Sequence, residues 1–115
     1  MSLALLFPGQ GSQYVGMGQD LANTYPIANQ LFEEADDILG FRISRLAWQG
    51  PEDELLLTMN AQPAILTHSV AVCRIISDLL VDVEIAAGHS LGEFSAHVAA
   101  GTLDFADALR AVRLR

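Results

Sequence analysis

Ser90 stands in Ala87-Gly88-His89-Ser90-Leu91-Gly92-Glu93, a G-x-S-x-G pattern that follows an apolar run. A tight strand-to-helix turn crowds the backbone. Glycines two before and two after the serine remove the clashes and leave its hydroxyl exposed off the end of the sheet. Such a serine lies at a helix N-terminus, where unpaired N–H groups and the dipole favour developing negative charge. The Leu91 N–H then points to where an oxyanion would form. The chemistry expected is nucleophilic attack on an acyl group. The competing reading is a structural turn, in which Ser90 caps the helix by accepting the Glu93 N–H.

A second glycine-rich loop, Phe7-Pro8-Gly9-Gln10-Gly11-Ser12-Gln13, follows the apolar run that begins at Leu3. Loops of this kind let a ligand approach the backbone. A P-loop requires G-x-x-x-x-G-K-[ST], and no lysine follows here. A dinucleotide loop requires G-x-G-x-x-G, and Tyr14 stands where the third glycine would be. In a parallel sheet the loops after both strands lie at the same carboxyl edge. Gln10 is therefore a candidate contributor to an oxyanion hole beside Ser90, or an amide that orients the loop.

Acyl transfer also needs a base. His89 directly precedes Ser90, and strand alternation tends to send it to the other side. His97 is seven residues beyond Ser90, about 10 Å along a helix, too far for a hydrogen bond. His68 shares a helix face with Val72, Ile75 and Leu79 and reads as a core or pocket-edge histidine. Cys73, in the same apolar helix, reads as core. No base is evident within these 115 residues.

The elements that must position these groups follow from periodicity. Residues 3–7 and 83–87 read as buried strands. Residues 17–24 read as a short helix. Pro26 opens a second, with Ile27, Leu31, Ala35, Ile38 and Leu39 at helical spacing and Gly40 as its stop. Its acidic residues Glu33, Glu34, Asp36 and Asp37 read as a solvated face. Residues 43–48 and 51–58 suggest two short helices. Residues 61–80 suggest a long helix that is apolar nearly all round and hence buried. Residues 91–100 form a further helix, and Asp104 caps a last one, with Phe105, Ala108, Leu109 and Val112 on its inner face. The order predicts an α/β fold with few parallel strands flanked by helices.

Composition narrows the partners. A formal charge of -8, with six basic residues, disfavours nucleic acid and anionic membrane surfaces. No apolar run approaches the ~20 residues of a membrane span, and no basic leader precedes the first strand. One cysteine excludes an internal disulfide and suits a reducing cytoplasm. Apolar residues make up 51% of the chain, or about 57% with Gly counted and Tyr omitted, against a usual 45–50%. A single small domain hides only about two-thirds of its surface. The expectation is an incomplete domain over residues 1–115 that self-associates or is covered by a missing part.

Four stretches, FPGQGSQ (7–13), NAQPAILT (60–67), AGHSLGEFSA (87–96) and AGTLDFADALRAVRLR (100–115), occur in the order and spacing of a known family. The chain resembles the N-terminal part of bacterial malonyl-CoA:acyl carrier protein transacylases over its whole length. The resemblance implies an α/β-hydrolase-like acyltransferase core without the ferredoxin-like subdomain. It implies Ser90 as the nucleophile that carries malonyl, Gln10 and the Leu91 N–H as the oxyanion hole, and Arg115 as the partner of the malonyl carboxylate. Gln62 and His89 become possible pocket residues. At 100° per residue Arg115 falls on the flank of the apolar arc, beside Ala108, whereas Arg110 and Arg113 face outward. An arginine that simply complements the helix C-terminus is the alternative there.

The implied substrates are malonyl-CoA and phosphopantetheinylated acyl carrier protein, in fatty acid biosynthesis, with no metal or redox cofactor. The family's catalytic histidine lies well downstream, so these residues are expected to hold half a site and to have little activity alone. Two alternatives share the elbow or dispense with it: a serine hydrolase or thioesterase, and a non-catalytic associating fragment.

Overall fold

The computed structural model describes residues 3–9, 11–76, 83–88, 95, 98 and 104–114, with the strands described by their backbone. Leu3–Phe7 (β1) and Val83–Gly88 (β2) pair in parallel, from Leu3 opposite Val83 to Phe7 opposite Gly88, with one irregularity between Leu3 and Ala4. Parallel neighbours need a long crossover. Among its described residues are five helices: Gln19–Thr24 (α1), Pro26–Leu39 (α2), Ile43–Gln49 (α3), Glu52–Leu55 (α4) and Thr58–Ile75 (α5). Phe105–Leu114 (α6) follows β2. Of the expected helix over 91–100, only Ser95 and Val98 are described, and both are helical. No helix among the described residues is long and apolar enough to cross a membrane.

α5 is the centre of the packing. Every residue from Ala61 to Thr67 is buried, as are Ser69, Val70 and Ala71. A helix enclosed on all sides needs no polar stripe, and α2, α3, α4 and α6 pack around it. α2 buries Ala28, Leu31, Phe32 and Ala35, and Phe32 meets Trp48 of α3 with ring centroids 5.3 Å apart. Each large side chain buried in this way contributes about 1.5–3 kcal/mol. α6 buries Phe105, Ala108, Leu109 and Val112, the face its spacing predicts.

Several expectations are corrected. The buried arc of α2 is rotated: Ile27 is 42% exposed, while Ala28 and Phe32 are wholly enclosed. α4 ends at Leu55 rather than reaching 58, and α5 starts at Thr58 rather than 61. Asp36 is not part of a solvated face. Its carboxylate accepts the Ser44 backbone N–H at 2.9 Å, the Ser44 hydroxyl at 2.6 Å and the Arg42 Nε–H at 3.1 Å. It thereby satisfies an N–H in the first turn of α3, a group that no carbonyl within the helix can reach.

Candidate active site

The sheet sets the frame of the site. Because Phe7 pairs with Gly88, both strands end together and the chain leaves them at one carboxyl edge. In sequence, Gln10 comes three residues after the first strand end and Ser90 two after the second. Gln10, His89, Ser90, Leu91 and Arg115 lie outside the described residues, as does His97.

The described part of the first loop argues against a phosphate cradle. Such a cradle needs free N–H groups aimed at the anion. The Gly11 N–H instead donates to Gln13 Oε1 at 2.8 Å, and the Ser12 N–H and hydroxyl both donate to the Gly9 carbonyl, at 3.3 and 2.9 Å. Gly11 has φ +108°, and no atom of the described residues would lie within 4 Å of an added Cβ. Backbone conformation, not a crowded neighbour, therefore requires glycine there.

Gln62 projects from α5 into the interior. It is 5% exposed, and its Oε1 is buried without a hydrogen-bond partner among the described residues. Leaving an amide oxygen unpaired costs about 1–3 kcal/mol, so it marks a place where a donor is expected to arrive. His68 is half-buried. Burial pushes its pKa below the usual imidazole value, and the carboxylate of Asp20 opposes that shift. Cys73 is half-buried, and burial pushes its thiol pKa up. A thiol held protonated is a poor nucleophile, in keeping with a packing role.

Arg113 does not face outward. Its Nη1 donates to the Met59 carbonyl at 2.5 Å and to Asn60 Oδ1 at 2.6 Å, and its guanidinium carbon lies 4.6 Å from the centroid of the Phe41 ring. Arg110 is exposed as expected and pairs with Asp107 at 3.5 Å. The role of Arg113 escaped helical-wheel reasoning, but a signal for it exists. Pro63 sits inside α5 and has no N–H to give to the carbonyl four residues earlier, which is that of Met59. Some donor had to come from elsewhere.

Residues 4–115 match the acyl transferase domain family. The chain belongs to that family. The malonyl CoA-acyl carrier protein transacylase of Bacillus subtilis (strain 168) is 51% identical over 113 residues, covering 98% of this chain and 36% of that protein. Among solved acyltransferase structures, the acyl-carrier-protein-S-malonyltransferase of Bartonella henselae superposes with a TM-score of 0.94 at 46% identity, covering 99% of this chain and 38% of that one. A malonyl-transacylase in complex with its type II PKS acyl-carrier protein superposes with a TM-score of 0.93 at 48% identity, covering 99% and 37%. The chain thus spans a little over a third of the length of these acyltransferases.

Proposed function

We propose that this chain carries the nucleophile part of a malonyl-CoA:acyl carrier protein transacylase, built on an α/β-hydrolase-like core. The observation that supports it is the parallel register ending at Phe7 and Gly88, in a chain half identical to named transacylases. Both strands end at one edge, and we expect Gln10 and Ser90 to reach a shared site from there.

In the proposed reaction Ser90 Oγ attacks the thioester carbonyl of malonyl-CoA while a base removes its proton. The Leu91 N–H and Gln10 stabilise the oxyanion, and the CoA thiolate leaves as the acyl-serine forms. Arg115 pairs bidentately with the distal carboxylate, which selects malonyl over acetyl. The phosphopantetheine thiol of acyl carrier protein then takes the acyl group and frees the serine. Gln62 lines the pocket with an acceptor oxygen ready for a donor. His68 is the one histidine among the described residues, and its burial suits packing rather than proton transfer. We assign the base to a histidine outside these 115 residues, and we expect them to transfer little malonyl alone.

Mass spectrometry after exposure to malonyl-CoA tests this reading. The full-length gene product should gain one malonyl group on Ser90, and Ser90→Ala should abolish it. The isolated 115 residues should react at least about 100-fold more slowly, the usual contribution of a general base. An unmodified Ser90 in the full-length product would sink the transacylase assignment. Rapid modification of the isolated chain would sink the shared-site part of it. Release of free malonate without transfer to a carrier thiol would point to the thioesterase instead.

A further inference from the structure

We propose that Arg113 is a positioning residue: it pins the last turn of α6 to the first turns of α5, and so sets where Arg115 presents its guanidinium. The inference rests on the carboxylate-binding role proposed above for Arg115.

Three contacts converge on one guanidinium. The first fills the vacancy that Pro63 creates at the Met59 carbonyl. The second goes to Asn60 Oδ1. That amide is itself fixed, because Asn60 Nδ2 donates to the Glu54 carbonyl at 2.9 Å and so turns Oδ1 toward Arg113. The third is the face of Phe41, from the connection between α2 and α3. Nη1 alone serves both acceptors while the planar guanidinium lies over the ring; a lysine ammonium has donors for the two acceptors but no plane to stack on Phe41. One side chain thus ties the end of α6 to the α2–α3 connection and to α5, the helix that carries Gln62.

The end of α6 needs such a tie. A ten-residue helix is marginal by itself, and its last turn lacks internal partners for its carbonyls. Val112 is buried, but Leu114 is 87% exposed and anchors nothing. Arg115 comes two residues after Arg113 in sequence, and a displacement of about 1 Å in a substrate-holding group is enough to weaken its hold on the substrate markedly.

The test uses the full-length gene product and compares malonyl-CoA with acetyl-CoA. Arg113→Met keeps the apolar stem over Phe41 but removes the donors. It should raise KM for malonyl-CoA about 10-fold with kcat changed less than about 3-fold, and leave acetyl transfer unchanged. Arg113→Lys should fall between Arg113→Met and the wild type. Arg113→Met with Pro63→Ala returns an N–H to the Met59 carbonyl. It should recover the thermal stability lost in Arg113→Met but not the malonyl preference. Recovery of the preference as well would reduce Arg113 to a structural hydrogen-bond donor and overturn the inference. Arg115→Ala is the reference. If it loses malonyl preference while Arg113→Met keeps the wild-type KM, the inference alone is overturned. If Arg115→Ala itself keeps the preference, the assigned role of Arg115 fails and the inference fails with it.

Discussion

Gln62 holds a buried amide oxygen to which nothing among the described residues donates. Groups of that kind persist where function needs them, because folding alone would favour their removal. Gln62→Met keeps the length and approximate volume of the side chain and deletes the unpaired acceptor. Its denaturation midpoint should stay level or rise, by up to about 1 kcal/mol in stability, while malonyl transfer by the full-length product falls. A loss of more than about 2 kcal/mol on substitution would instead make the amide a structural group. His68 offers a second test at this scale. Its folded pKa lies below the ordinary value near 6.5 because burial disfavours the cation. The unfolded chain therefore binds the extra proton more readily. Stability from the neutral imidazole is complete above about pH 6.5 and declines as pH falls below it. Melting temperatures of the wild type should drop more between pH 8 and pH 5 than those of His68→Gln; equal slopes would remove His68 from the account.

At the level of elements, the stops and starts with purely local causes were readable in the sequence. Pro26 opens α2, and Gly40 closes it with φ +78° and an N–H to the Asp36 carbonyl. The inner face of α6 also follows from its spacing alone. What was not readable depends on groups distant in sequence. The apolar run over 61–80 predicts a helix from 61, whereas α5 starts at Thr58. In the folded chain Pro63 is the sixth residue of α5, tolerated because Arg113 serves the orphaned carbonyl from 54 positions away. Asp36 looked like one more surface acid in an acidic run, because its partner Ser44 belongs to the next helix. Asp36→Ala removes three hydrogen bonds and the cap of α3, and should cost about 2–3 kcal/mol in chemical denaturation. Asp36→Asn, which keeps an acceptor for the Ser44 N–H, should cost about half as much. If the two substitutions cost the same, the charge on Asp36 matters more than its geometry as an acceptor.

For the whole molecule, the apolar excess in the sequence finds a counterpart on the surface. Leu56, Leu57 and Met59 are each about half exposed at the junction of α4 and α5, and Tyr14 and Val15 before α1 and Tyr25 and Ile27 after it are exposed. Isolated exposed apolar residues are ordinary, but three within four positions of one connection are less so. The acyltransferases that this chain matches are nearly three times as long, and we expect further sequence of that kind to cover such surface. The 115 residues produced alone should then bind an environment-sensitive apolar dye. They should also sediment as oligomers whose size grows with concentration, while the full-length product does neither. Leu56→Ser together with Leu57→Ser should reduce both effects in the isolated chain, and it should not stop folding, since neither side chain belongs to the core. A monomeric, dye-free 115-residue chain would mean that its apolar residues are fully accommodated by its own fold. The case for a shared site would then rest on the sequence alone, in which no base for Ser90 is evident.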